Sequence, residues 1–192
     1  MDREQAHART DSLAPDSDEA LVARLCEGEA AALDALMARH APALVAFCGC
    51  YLDAEGAQDA AQKTFVRVLQ RCGSMRQTMP FKPWLFAIAR NVSVSMLRRQ
   101  RLRAALSVEA LPDAADSPDR TVAEREQREA TLRAVDRLPP PYRDVLVLHY
   151  LSGLTCAETA AALGLKTSAV KMRLRRGVLR VREALAQAGI LT

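Results

Sequence analysis

The sequence predicts an all-α fold: two small helical domains joined by a flexible acidic linker, the C-terminal one a helix-turn-helix. Three observations lead there. Ala and Leu are abundant while Val and Ile are thin outside a few clusters, and aromatics make up only 4% of 192 residues, a balance that favours helix over sheet. Apolar residues recur at helical spacing along most of the chain. Between Ala104 and about Thr121 that periodicity fails, and Pro112 and Pro118 interrupt a small, acidic composition, the pattern of a linker. The length suits one medium domain or two small ones. With 49% hydrophobic and 26% charged residues, the balance is that of a soluble globular protein rather than a disordered one. The expected division is a tail at 1–15, a first domain at 16–103, a linker at 104–130 and a second domain at 131–192.

The elements follow in order. Asp16, Ser17 or Asp18 caps a first helix, and Leu21, Val22, Leu25, Leu33 and Leu36 recur at helical spacing from Glu19 to Leu36, broken at Gly28. Pro42 is expected to start another helical stretch, Ala43–Leu52, with Asp53–Gly56 as a turn. In Ala57–Cys72 the residues Ala61, Phe65, Val68, Leu69 and Cys72 predict one buried stripe. Asp59, Gln62, Lys63, Arg67 and Gln70 make a wide polar face opposite. Gly73–Pro80 reads as a loop, and Pro83 suits the first turn of a helix. That helix is expected to bury Trp84, Leu85, Ile88 and Val92, then Met96 or Leu97, before running into arginines 98, 99, 101 and 103. Helix resumes near Ala123 and stops before Pro139-Pro140-Pro141. Tyr142–Leu185 is helical with breaks at Ser152-Gly153 and Gly164.

Charge is unevenly distributed. Residues 90–103 hold five arginines and no acid, and 166–182 hold seven bases and no acid. Residues 105–119 between them hold Glu109, Asp113, Asp116 and Asp119 and no base. Two separated basic blocks suggest two contacts with a polyanion, or else two solvated helix faces. Residues 1–20 are polar and acidic, unlike a signal peptide, and no uninterrupted apolar run approaches the roughly 18 residues of a membrane span. The five cysteines form no disulfide-like framework, so a reducing cytoplasm is expected. Phosphate loops, metal-ligand motifs and nucleophile elbows are missing from the sequence, which argues against an enzyme. No cofactor is expected.

The strongest local pattern lies at Thr155–Leu179. Thr155-Cys156-Ala157-Glu158 has the form of a capping box. Ala160, Ala161 and Leu163 can pack closely against a neighbour, Gly164 ends the short helix, and Leu165 suits burial in a tight turn. Val170, Leu174, Val178, Val181 and Leu185 then form a core-facing stripe, leaving Lys171, Arg173, Arg175, Arg176 and Arg180 on other faces. Such a helix can enter a major groove, its first turns meeting base edges and its arginines meeting phosphates. An ordinary helical hairpin with a basic surface is the plainer reading.

Three stretches resemble bacterial RNA polymerase sigma factors of the extracytoplasmic-function group, within the sigma-70 family. Asp59-Ala-Ala-Gln62-Lys63-Thr64-Phe65-Val-Arg67 resembles the D-x-x-Q-E-T-F-x-R helix of region two. Phe81-Lys-Pro-Trp84-Leu85-Phe86-Ala-Ile88-Ala89-Arg90-Asn91 resembles its F-x-x-W-L-x-x-I-A-R-N segment. Leu138-Pro-Pro-Pro-Tyr-Arg143, continuing through Gly164-Leu-Lys-Thr-Ser-Ala-Val170-Lys171-Met-Arg173-Leu174, resembles region four. All three stand in the family's order, and the resemblance covers roughly Ala20–Arg103 and Ala130–Ala188, most of the chain. The resemblance implies a transcription-initiation subunit that binds core RNA polymerase through the β′ coiled coil and the β flap, recognises promoter DNA, and leaves catalysis to the polymerase. It implies core-polymerase contacts at Asp59, Gln62, Lys63 and Arg67, with Lys63 in place of the family's usual Glu. It implies minus-ten contacts at Met75, Arg76, Phe81, Lys82, Arg90 and Asn91, where a base is flipped into a pocket at a cost of a few kcal/mol of stacking. Ser95 stands where many relatives carry Asp. On the apolar stripe Trp84 reads as core rather than as a stacking platform. Minus-thirty-five contacts fall to Thr167, Ser168, Lys171, Arg173, Arg175 and Arg176. Relatives are commonly held inactive by an anti-sigma protein, often membrane-anchored.

Two rivals make different demands. A stand-alone helix-turn-helix regulator needs no docking face like Asp59–Arg67. A thiol or metal sensor would use His40, Cys48 and Cys50, yet Cys48 and Cys50 point roughly 160° apart on an unbroken helix. These cysteines read instead as small buried hydrophobes.

Overall fold

The computed structural model describes residues 17–75, 79–106 and 130–190. Every regular element among them is helical. The N-terminal half comprises α1 (Asp18–Cys26), α2 (Ala30–Cys48), α3 (Ala54–Arg71), a 3-10 turn at Cys72–Ser74, and α4 (Phe81–Leu106). The C-terminal half comprises α5 (130–136), α6 (Pro140–Leu146), a π turn at Val147–Leu151, α7 (Cys156–Leu163) and α8 (Thr167–Gln187). The expected tail at 1–15, the acidic stretch from Glu109 to Asp119, and the helix start near Ala123 lie outside the described residues.

Local chemistry explains the starts. Ser17 caps α1, its hydroxyl accepting the Ala20 N–H at 3.2 Å, and Asp18 and Glu19 fill the first turn, where carboxylates favour the helix dipole. Asp53 caps α3 by accepting the Gly56 N–H at 2.8 Å. The expected turn at Asp53–Gly56 is therefore the first turn of a helix. Asp18 also ties α1 to α2, taking a bond from Arg39 at 2.6 Å and lying 2.8 Å from His40 Nε2.

Pro42 does not start a helix, contrary to expectation: α2 runs unbroken through it. Proline removes one N–H and crowds the preceding turn, but Leu36, His40, Leu44 and Phe47 on one face of α2 are all buried. Their packing outweighs the local penalty. By length and composition α2 could cross a bilayer, with mean hydropathy 1.3. Its buried face and its charged Asp34 and Arg39 mark it instead as the central helix of a protein core.

The main core gathers Leu21, Leu25, Leu36, Leu44, Phe47, Phe65, Val68, Leu85, Phe86 and Val92. It also takes in Val147, Leu148 and Leu154 from the C-terminal half. A second cluster, Leu138, Val145, Leu146, Ala160, Val170 and Leu174, holds α6, α7 and α8 together. Ala130, Ala134 and Leu185 join α5 to α8. At Gly177 a Cβ would lie 3.0 Å from Leu146 Cδ1, so the glycine lets α6 and α8 approach closely. The two helical halves are thus packed on one another, with α4 against α7 and α2 against the π turn.

Candidate nucleic-acid and polymerase interfaces

The helix-turn-helix forms as the residues demand. Thr155 accepts the Glu158 N–H at 3.2 Å while Glu158 accepts the Thr155 N–H at 2.8 Å, a reciprocal capping box. Gly164 ends α7 at φ 64°, ψ 36°, a left-handed conformation that a Cβ disfavours. Of the three residues expected to pack closely, Ala160 is buried, Leu163 is half-buried, and Ala161 is exposed; Thr159 is buried instead.

On α8 the expected stripe holds: Val170, Leu174 and Leu185 are buried, with Val178 and Val181 half-buried. Thr167, Ser168, Lys171, Arg175 and Arg176 are exposed on the outer side of the same helix, and Arg173 is half-buried. Arg180 lies 4.9 Å above the ring of Tyr142, a cation–π contact that fixes the base of this surface.

The α3 face differs from expectation at its centre. Ala61, Phe65 and Val68 are buried, but Leu69 is 50% exposed and Val66 54% exposed. Val68 and Leu69 are separated by about 100° around the helix, and the buried seam runs instead through Ala57, Ala60, Ala61, Thr64, Phe65 and Val68. Gln62, Lys63 and Gln70 are exposed and Asp59 and Arg67 half-buried. Lys63 Nζ lies 2.5 Å from Asp59 Oδ2, so this lysine is partnered on its own helix. Such an exposed pair contributes at most about 1 kcal/mol. Its consequence is for charge: the face is nearly neutral with two apolar residues in it. Periodicity marked the helix but could not show that Val66 and Leu69 stay uncovered.

The minus-ten candidates divide. Arg76 lies outside the described residues. Phe81, expected to contact DNA, is fully buried: its ring packs 5.4 Å from His40 and 6.1 Å from Trp84, and its N–H donates to Glu19 at 3.1 Å. It anchors the start of α4 and offers no surface to a nucleic acid. Met75 and Lys82 are half-buried and Asn91 exposed. Trp84 is half-buried beside the core, as read from the stripe. Arg90 is held by Asp144 of α6, donating from Nε at 2.9 Å and from Nη2 at 2.5 Å, and its Nη1 donates to Asn91 at 3.2 Å.

Asp144 was not singled out by the sequence. It is only 3% exposed and also accepts the Tyr51 hydroxyl at 3.0 Å. Burial, then the Asp144 charge and hydrogen bond, push the Tyr51 phenol well above its usual range, so it stays a donor. Arg143 stacks 5.2 Å over the Tyr51 ring and bonds Asp136 at 2.6 Å. Tyr51 and Asp144 lie 93 positions apart, which is why no local pattern joins them.

The cysteine-sensor constellation does not assemble. Cys48 is buried, with burial pushing its thiol up to about 11. The Cys50 thiol turns to the Ala46 carbonyl at 3.5 Å, and His40 is engaged by Asp18. Among the described residues no group of three His, Cys, Asp or Glu is arranged to hold a metal ion.

Comparison with known proteins agrees with this geometry. Residues 36–103 match the family described as Sigma-70 region 2, and residues 128–181 match Sigma-70, region 4. CarQ, an RNA polymerase sigma factor of Myxococcus xanthus, is 30% identical over 85% of this chain and 95% of its own length. CnrH of Cupriavidus metallidurans is 31% identical over 84% of this chain and 90% of its own. The probable sigma factor RfaY of Xanthomonas campestris is 34% identical over 70% of this chain, but the match spans only 35% of RfaY. Among solved structures, CnrH in complex with the cytosolic domain of CnrY superposes with a TM-score of 0.69 at 26% identity, covering 88% of this chain and 97% of that one. With two regions in family order and relatives matched over nearly their whole length, the chain belongs to the sigma-70 family of RNA polymerase sigma factors, in its extracytoplasmic-function group.

Proposed function

We propose that this protein is an alternative sigma factor that binds core RNA polymerase and directs initiation at a specific set of promoters. One observation supports this above the others. A single chain carries both a nearly neutral helix face with exposed Val66 and Leu69 and, on a capped helix-turn-helix, an exposed row of Lys171, Arg175 and Arg176. A stand-alone regulator needs the second surface and has no use for the first.

In this reading the α3 face, with Asp59, Gln62, Lys63 and Arg67 around Val66 and Leu69, docks on the β′ coiled coil, and the C-terminal half engages the β flap. The N-terminal turns of α8 meet the minus-thirty-five element through Thr167, Ser168 and Lys171, while Arg173, Arg175 and Arg176 hold phosphates. Met75, Arg76, Lys82, Arg90 and Asn91 serve the minus-ten element. The protein positions and helps to melt DNA in the cytoplasm, and the polymerase supplies the chemistry. CnrH forms a complex with the cytosolic domain of CnrY, and by analogy an anti-sigma protein restrains this chain.

The test is transcription in vitro with core polymerase and a random promoter library, read by sequencing the transcripts. A defined subset of promoters should become active only when this protein is added. No transcription, together with no binding to core, would refute the sigma reading and favour a stand-alone regulator.

A further inference from the structure

Helix α1 reaches both ends of the segment that joins α3 to α4. At one end Glu19 accepts the Phe81 N–H at 3.1 Å and so fixes the start of α4. At the other, α1 packs against the 3-10 turn Cys72–Ser74, and its last residue, Cys26, is hydrogen-bonded to Cys72. Cys26 is exposed and Cys72 half-buried, so a small reagent in solvent reaches the pair. The other cysteines are placed differently. Cys48 is buried, Cys50 bonds the Ala46 carbonyl, and Cys156 starts α7 in the C-terminal half.

Cys72 is wired into its own turn. Its thiol donates to the Leu69 carbonyl at 3.4 Å, and its carbonyl accepts the Met75 N–H at 3.1 Å. Met75 is half-buried against the main core, so it must turn outward, and the 3-10 turn must shift, before it can meet a base.

We propose that Cys26 and Cys72 form a thiol–disulfide exchange site for a low-molecular-weight disulfide, and that the resulting bond ties the 3-10 turn to α1 and weakens minus-ten recognition. The second half rests on the role given to Met75 in the proposed function. Disulfides in reducing compartments are characteristically transient and redox-sensing, which suits a pair open to solvent.

Partial desolvation and then the bond with Cys72 raise the Cys26 thiol, so Cys72 is the attacking sulfur and Cys26 the resolving one, because the thiolate is the nucleophile. The Cys72 thiolate attacks one sulfur of the small disulfide, forms a mixed disulfide and expels one small thiolate. Cys26 then gives its proton to that thiolate, attacks the Cys72 sulfur and expels the second, which takes a proton from water. The protein dithiol is oxidised by two electrons, and one small disulfide is reduced to two thiols. Oxidation also removes the S–H that bonded the Leu69 carbonyl.

The full chain is treated with oxidised glutathione, desalted, and divided between non-reducing peptide mass spectrometry and transcription with core polymerase on a promoter from the library. Intact mass should fall by two hydrogens, and the Cys26–Cys72 bond should form ~tenfold or more faster than any pairing of Cys48, Cys50 or Cys156, because the two sulfurs are held together. Cys26→Ser should stop at the mixed disulfide, carrying one glutathione on Cys72. Transcription by the oxidised wild type should fall ~fivefold or more and return with dithiothreitol, and Cys72→Ser should show no such loss.

No Cys26–Cys72 bond, or a Cys26→Ser protein whose Cys72 stays free of glutathione, would overturn the exchange site. A bond that forms with transcription unchanged, or a loss that persists in Cys72→Ser, would overturn its link to the promoter. Failure of the reduced wild type to transcribe would refute the proposed function separately, while the mass spectra would still decide the exchange site.

Discussion

Removing the two exposed apolar side chains of α3, as Val66→Ala with Leu69→Ala, tests the polymerase-docking face directly. Their exposures of 54% and 50% amount together to about one whole aliphatic side chain available for burial by a partner. Fully burying such a side chain contributes ~1.5–3 kcal/mol, so their truncation should weaken core binding ten- to a hundredfold. Neither residue is in the folded core, so thermal or urea unfolding should shift by no more than about 0.5 kcal/mol per site. Lys63→Glu is a useful companion, because it breaks the pair with Asp59 and restores the charge that the family usually carries there. Core affinity is read by competition between labelled wild-type protein and each variant for purified core polymerase. A double variant that binds core as tightly as wild type, with unfolding unchanged, would refute the assignment of this face.

Four further outcomes are expected. Thr155→Ala removes the reciprocal cap and should destabilise the C-terminal half by about 1 kcal/mol in urea titration; Gly164→Ala, with nothing crowding the new Cβ, should cost about 1 kcal/mol from the left-handed backbone alone. Replacing Arg175 and Arg176 by Ala should reduce the dependence of log affinity on log salt by about 0.9 for each phosphate that is no longer neutralised, measured on a promoter from the library; an unchanged slope would place the phosphates elsewhere. Although Cys26 is exposed, partial desolvation by its neighbours, then its hydrogen bond with Cys72, raises the thiol to about 12, and it should react slowly with iodoacetamide at pH 8. Its rate should climb ~tenfold per pH unit to pH 10, because the thiolate is the nucleophile, and Cys72→Ala should speed it; fast labelling at pH 8 would contradict the local geometry.

What the sequence made legible was the chemistry that acts within one or two helical turns. The capping box at Thr155 and Glu158, the glycine stop at Gly164 and the stripe from Val170 to Leu185 depend on neighbours a few positions away, and each formed as read. The expectations that failed turned on what lies opposite. Pro42 has a clear local meaning, but the long buried face of α2 overrode it. Leu69 is as apolar as Val68, and only the placement of α2 and α4 decides which of the two is covered. Phe81 sits where a chain leaves a loop, which suggests a surface residue, yet His40 and Trp84 enclose it. Asp144 gave no signal at all, since its partners Tyr51 and Arg90 come from two different places in the other half.

The same long-range packing bears on how core polymerase would be bound. Closure buries Val147, Leu148 and Leu154 almost completely, at ~1.5–3 kcal/mol each as an upper bound, and adds the charged bonds to Asp144. Val66 and Leu69 together supply no more than about one such side chain. Val66 and Leu69 alone therefore contribute less than separation of the halves costs. If the halves part on core polymerase, the polar groups of α3 and the proposed contact between the C-terminal half and the β flap must supply the rest. Asp144→Asn should accordingly raise core affinity, because it removes charged bonds that hold the two halves together. Truncating Val66 and Leu69 should lower it by the same factor in the wild-type and Asp144→Asn backgrounds, because the two act on different terms of one equilibrium. A core affinity that is the same for Asp144→Asn and wild type would mean that the polymerase accepts the closed form.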